Sequence, residues 1–170
     1  RDENFFVWDD PDAPYRPPTQ FAQDNRVAYT VLSGATITSL ARGRTLLRLS
    51  PYFNFNSNQN DFADNQDWQR AYKPGLIATL NWFAAERQSV TFGTEVAHTW
   101  TESNFLGSPR VLDAALFAQD EIQFTDRLKV NAGLRLDHHK ASTTDAELAL
   151  SPKLGASFRV APRVSVRASV

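Results

Sequence analysis

The sequence predicts an all-β protein, specifically a portion of an antiparallel transmembrane β-barrel. Three observations predict it. Apolar and polar residues alternate with a period of two, the alternating runs exceed the usual soluble strand, and short and long connections take turns between them. Successive side chains on a strand point to opposite faces, so a period of two means one apolar and one polar face. A helix would smear that separation.

Taken in order, the first run places Val27, Tyr29, Val31, Ala35 and Ile37 on one face and is the weakest. The next sets Leu47, Leu49, Pro51, Phe53 and Phe55 against Arg48, Ser50, Tyr52 and Asn54. Leu76, Ala78, Leu80, Trp82 and Ala84 form a third face, and Val90, Phe92, Thr94 and Val96 a fourth. In Leu112 to Phe124, Asp120 falls on the apolar parity, which predicts a bulge or a change of environment near the strand end. The last three runs are the clearest. Leu128, Val130, Ala132, Leu134 and Leu136 alternate with Lys129, Asn131, Gly133, Arg135 and Asp137. Leu150 to Val160 alternates with Ser151, Lys153, Gly155, Ser157 and Arg159, and Val164, Val166, Ala168 and Val170 with Ser165, Arg167 and Ser169. Eight strands are expected, at about 24–39, 44–57, 73–85, 88–101, 112–124, 128–140, 149–160 and 164–170.

Short turns fall near Ala41-Arg42-Gly43, Glu86-Arg87-Gln88, Thr125-Asp126-Arg127 and Ala161-Pro162-Arg163. Longer polar loops are expected at 58–72, 102–111 and 141–148, and residues 1–23 read as another, facing outside the cell. Sorting of this kind suits a membrane barrel, whose tight turns lie on the periplasmic side and whose long loops face out. Crossing the hydrocarbon layer takes about 9–11 residues of tilted strand, whereas soluble strands run about 5–6. Trp82, Phe92, Phe124 and Phe158 lie toward the short turns, and Phe53, Phe55, Trp100 and Phe105 toward the long loops, as two interfacial girdles would. The polar faces alone fit a half-buried soluble sheet equally well. Strand length and loop sorting decide for the membrane.

Composition removes several classes. A formal charge of −1 with scattered Lys and Arg gives no support to nucleic-acid binding. With no cysteine there is no disulfide framework, thiolate metal site or cysteine nucleophile. No stretch approaches the ~20 apolar residues of a membrane helix, a test that a barrel escapes because only one face of each strand meets lipid. His138 and His139 are adjacent and so diverge on a strand, and His98 stands apart, so no metal site is expected. Asp120-Glu121 and Asp9-Asp10 diverge likewise, with no nucleophile or base at a catalytic spacing, so neither catalytic residues nor a cofactor are expected.

Specific words then narrow the class. Leu116-Phe117-Ala118-Gln119-Asp120-Glu121-Ile122, Thr125-Asp126-Arg127-Leu128 and Ala132-Gly133-Leu134-Arg135-Leu136-Asp137-His138-His139 follow one another in order. Leu150-Ser151-Pro152-Lys153-Leu154-Gly155, Ala161-Pro162-Arg163 and Val164-Ser165-Val166-Arg167-Ala168-Ser169 continue the series. Together they resemble the barrel of TonB-dependent outer-membrane receptors. The likeness is strong over 112–170 and rests on pattern and loop length upstream. It implies a 22-stranded barrel in the cell outer membrane, of which this chain is a partial domain of about eight strands. It also implies an N-terminal plug domain, absent from these residues, through which the TonB energy-coupling complex acts.

The activity so implied is active uptake of a scarce ligand, a ferric siderophore first and cobalamin or another metal chelate next. A passive porin or structural outer-membrane barrel is the first alternative, and a soluble lipocalin-like binder the second. The polar stretch 58–72 carries the ligand-contact candidates Phe62, Trp68 and Arg70, joined by Trp8 and Tyr15 from the opening segment, because aromatic faces among amides suit a chelate. Arg135, Asp137, Lys153, Arg159 and Arg167 are the expected lumen-facing contacts to the plug. Membrane lipid and lipopolysaccharide are the expected partners of the apolar face.

Overall fold

A computed structural model describes residues 25–41, 43–62 and 65–170, with backbone only at Phe62 and Asn65. Nine antiparallel strands run β1 Asn25–Gly34, β2 Ile37–Ala41, β3 Thr45–Phe62, β4 Asn65–Ala85, β5 Gln88–Ser103, β6 Arg110–Gln123, β7 Leu128–Ala141, β8 Glu147–Ala161 and β9 Val164–Ser169. They form one sheet in the order β1-β3-β4-β5-β6-β7-β8-β9, with β2 also paired to β3. From β2 onward sequence neighbours are therefore sheet neighbours, the up-and-down order in which tight turns join antiparallel strands.

The extra strand is the first expected crossing in two pieces. Ile37 faces Leu49, and the Ala35 amide still donates to the Pro51 carbonyl at 3.1 Å. Pro51 has no N–H to return that bond, so the ladder lapses at this pair. Beside it the Thr36 and Ser50 hydroxyls are 3.1 Å apart, and side chains take up the missing link.

Of the bulge or change of environment expected near Asp120, the bulge needs correcting. The β6–β7 ladder runs without a shift from Val111↔Ala141 to Gln123↔Lys129, so Asp120 causes no bulge. It lies opposite Ala132, three residues from the strand end, and one oxygen accepts from Gln88 Nε2 at 2.9 Å. The register shift lies elsewhere, between Arg159 and Ala161 in the β8–β9 pair.

The expected loop at 58–72 also needs correcting. β3 continues to Phe62 and β4 begins at Asn65, giving strands of 18 and 21 residues. At ~3.3 Å per residue, β4 is about 70 Å long, far more than a tilted crossing of a ~30 Å hydrocarbon layer requires. The surplus is extended hairpin where a loop was expected. The turns are short by comparison: Thr125 Oγ1 accepts from the amides of Arg127 and Leu128, and Gly43 takes a φ of 67°.

The chain divides into two compact units, with several strands shared between them. One holds the described parts of Arg1–Ser33, Phe53–Pro74 and Thr99–Arg110. The other holds Gly34–Tyr52, Gly75–His98 and Val111–Val170.

In the second unit the alternation is realised as two chemically distinct faces. Leu116, Leu134, Leu136, Leu150, Leu154, Phe158 and Val166 are all exposed on one of them. Among the described residues only Ala97 and Ala115 are buried hydrophobics. A sheet that leaves this much apolar surface open lacks a core of its own and requires an apolar medium on that side.

Candidate functional site on the polar face

The opposite face of the second unit carries an ionic cluster in the middle of the sheet. Arg135 on β7 donates from Nε to Asp137 Oδ1 at 2.8 Å and from Nη2 to Glu95 Oε2 at 3.1 Å, reaching across β6 to β5. The Tyr52 hydroxyl on β3 donates to the other oxygen of Glu95 at 3.4 Å, across β4. These spans are possible because the intervening positions give way. A Cβ on Gly75 would come within 2.2 Å of the Tyr52 ring, and one on Gly93 within 2.1 Å of the Phe117 ring. Each glycine is a slot in which a neighbouring aromatic lies flat along the sheet. Phe117 in turn lies beneath Arg135, whose Cζ is 5.7 Å from the ring centroid.

Smaller pairs flank the cluster. His139 Nδ1 and Asp113 Oδ1 are 2.7 Å apart, and Lys129 reaches Glu121 at 2.7 Å. Most of the polar-face charge on β5 to β7 is therefore compensated within the sheet. Lys153, Arg159 and Arg167 differ, since they are exposed and make no side-chain hydrogen bond or ion pair among the described residues. Of the five expected plug contacts, the structure thus joins Arg135 and Asp137 in one network and leaves the other three open.

In the first unit, Phe55, Tyr72 and Trp100 form a row across β3, β4 and β5. The ring centroids are 5.1 Å apart for Phe55–Tyr72 and 5.4 Å for Tyr72–Trp100, the latter pair stacked. Trp68 and Arg70 do come together, with the guanidinium 5.4 Å from the indole centroid, but on β4 and not on a loop. Alternation puts them on the same side of β4 as Tyr72. The side chain of Phe62 and all of Trp8 and Tyr15 lie outside the described residues.

A feature that the sequence reading passed over is an amide ladder on β3, where Asn54, Asn56, Asn58 and Asn60 occupy alternate positions. Asn58 Nδ2 donates to Asn56 Oδ1 at 2.6 Å, Asn56 to Thr30 Oγ1 at 3.0 Å, and Arg26 Nη2 to Asn58 Oδ1 at 3.2 Å. The repeat of Asn at every second residue was the available signal. Nearby, the Asn104 side chain accepts from the Trp68 amide at 2.8 Å and donates to the Gln66 carbonyl at 2.6 Å, joining β4 to the turn after β5.

A sheet with one open apolar face, a charge-compensated polar face and meander order belongs to the class of membrane-barrel walls. The family model described as TonB dependent receptor-like, beta-barrel, matches residues 2–170. The chain belongs to that family, and its place is the outer membrane. The match leaves the soluble lipocalin-like alternative without support. Similar solved structures include the FrpB iron transporter of Neisseria meningitidis in its F5-1 variant, apoprotein form, at 16% identity and a TM-score of 0.75 over 88% of this chain. The F3-3 variant of that transporter is 17% identical, with a TM-score of 0.74 over 85% of this chain. At such identity the likeness establishes the fold. The chain spans 29% and 27% of those two transporters. No curated protein matches the sequence.

Proposed function

We propose that this chain is part of the barrel of a receptor that takes up a scarce ligand across the outer membrane, driven by a TonB complex. The ligand favoured is a ferric siderophore, with cobalamin or another metal chelate next. The observation that carries the reading is the family match over residues 2–170. The neighbours named as iron transporters favour an iron-bearing ligand.

In this reading the apolar face meets lipid, and the row Phe55–Tyr72–Trp100 meets the outer-leaflet headgroups and lipopolysaccharide sugars. Trp68 and Arg70, with Phe62, Trp8 and Tyr15, make first contact with the ligand, and the Asn ladder offers amide donors and acceptors along its path. Arg135, Asp137, Lys153, Arg159 and Arg167 face the plug. Binding and gated passage are the whole mechanism, and no covalent step is involved.

The test is uptake of radiolabelled ferric siderophore by cells that carry the full-length receptor, with TonB present or deleted. Uptake that disappears with TonB supports the reading. Uptake that persists unchanged and rises linearly with ligand concentration would identify a passive porin instead.

A further inference from the structure

The apolar face of the second unit is uneven in height. On β8 every second residue from Leu148 to Val160 is apolar. At ~3.4 Å per residue and a tilt of ~40°, that run spans about 31 Å along the membrane normal, a full hydrocarbon layer.

Two strands away the same face is interrupted. Asp120 on β6 shares its parity with Leu116 and Ala118, and it lies opposite Ala132, which in turn lies opposite Leu154. Its Oδ2 accepts from Gln88 Nε2 at 2.9 Å, so two polar groups stand together on the lipid side near the short-turn end. Its Oδ1 is enclosed and has no partner among the described residues. The wall alone therefore does not satisfy this carboxyl group. Toward the long-loop end, His138 pairs with Ala114 and Lys140 with Leu112, again on the apolar parity. Lys140 Nζ leads away from the lipid side and donates to the Thr144 carbonyl at 2.8 Å. From Asp120 to the Leu112–Lys140 pair the strand advances eight residues, which cover about 21 Å along the normal at the same rise and tilt.

A lysine on a lipid face escapes by extending its side chain to the interface. An aspartate is too short to do so, and relief comes from headgroups and water that move to it and thin the bilayer locally. We propose that β5 to β7 pinch the outer membrane. Beside Gln88 and Asp120 the inner-leaflet headgroups rise to the level of the carboxyl group. The hydrocarbon layer is then about 20 Å thick there, against about 30 Å beside β8. Headgroup N–H and O–H donors, with their water, complete the hydrogen bonding of Asp120. Ile122 and Phe124, nearer the strand end, lie among those headgroups as an interfacial girdle does. The inference rests on the barrel-wall assignment and holds whichever ligand is carried.

The experiment uses the full-length receptor in dioleoylphosphatidylcholine vesicles, with a single cysteine introduced and spin-labelled at 116 or at 122. The label at 122 is expected to be roughly threefold or more as accessible to a water-soluble nickel chelate as the label at 116, which should favour oxygen. Asp120→Leu with Gln88→Leu removes both polar groups, and should lower chelate access at 122 by roughly threefold and raise oxygen access. Replacing the lipid by the shorter dilauroylphosphatidylcholine should leave the label at 122 unchanged within roughly twofold, because its surroundings are already thin. That comparison keeps the test decisive if the double variant fails to fold. A label at 122 that is open to oxygen and shielded from the chelate in the otherwise unsubstituted receptor would overturn the pinch. So would a severalfold gain of chelate access in the shorter lipid, since hydrocarbon would then have covered the site. Chelate access that survives the double substitution would overturn the part given to Asp120. Shielding from both reagents would overturn the proposal as well, with a protein surface covering this sector in place of lipid.

Discussion

Arg135 reaches over β6 to hold Glu95 at 3.1 Å, and the ring it passes above, Phe117, rests on Gly93. The relationship links three strands through one guanidinium, and its parts depend on one another.

The ion pair itself is half exposed, with side-chain exposures of 40% and 31%, so solvent screens it. A double-mutant cycle on Arg135→Ala and Glu95→Gln in the full-length protein is expected to return a coupling of roughly 0.2–1 kcal/mol by urea unfolding in lipid vesicles. A coupling of several kcal/mol would mean that the pair is far more shielded than this geometry allows.

Gly93→Ala should cost more than loss of the ion pair. Its methyl group would lie 2.1 Å from Phe117 Cζ, so the ring must move and release Arg135. Overpacking of this kind costs about 1–3 kcal/mol. Adding Phe117→Ala to Gly93→Ala removes the clash, and the double variant is expected to be no less stable than Gly93→Ala alone. Unfolding monitored by gel mobility checks the ordering.

The aromatic row has a similar logic. Tyr72 touches both Phe55 and Trp100, and each aromatic pair contributes about 0.5–1.5 kcal/mol beyond area burial. Tyr72→Ala is expected to destabilise by roughly 1–3 kcal/mol and to shift the fluorescence of Trp100 toward that of a wetter indole. An unchanged spectrum would place Trp100 away from Tyr72.

Asp61, in the hairpin beyond the membrane span, titrates below the ordinary carboxylate range because Gln59 and then Gln66 donate to its oxygens, at 3.1 Å and 2.6 Å. A lowered folded value means that the stabilisation is present above the unfolded pKa and is lost as pH falls through the folded one. Gln66→Ala should move the Asp61 titration, followed by NMR, up toward the ordinary aspartate value of about 3.9. A downward move would contradict the hydrogen-bond cause.

The membrane wall was legible in the sequence, and its extension was not, for one physical reason. Alternation such as Leu134-Arg135-Leu136-Asp137 records contact with lipid on one side and water on the other. Where both sides are wet, residues 58–62 of β3 and 65–70 of β4 lose the apolar face while remaining strand, and a pattern reading takes them for loop. Local words misled in both directions. Asp120 on the apolar parity is accommodated by Gln88 without a bulge, whereas the shift at Arg159–Ala161 follows no polarity signal. The slots at Gly75 and Gly93 and the span from Tyr52 to Glu95 depend on which strands lie side by side, which spacing along the chain does not reveal. The division of the polar charges into paired and open sets depends on the same register.

The most direct test of the account is the alternation itself, measured in the membrane. The chain has no cysteine, so single cysteines can be introduced and spin-labelled in the full-length receptor in lipid vesicles. At 134, 136, 150 and 154 the labels are predicted to be accessible to oxygen dissolved in the bilayer and shielded from a water-soluble nickel chelate. At 135, 137, 151 and 153 none should show the lipid signature. Lipid contact at both parities, or at neither, would contradict the assignment of this sheet as an outer-membrane barrel wall.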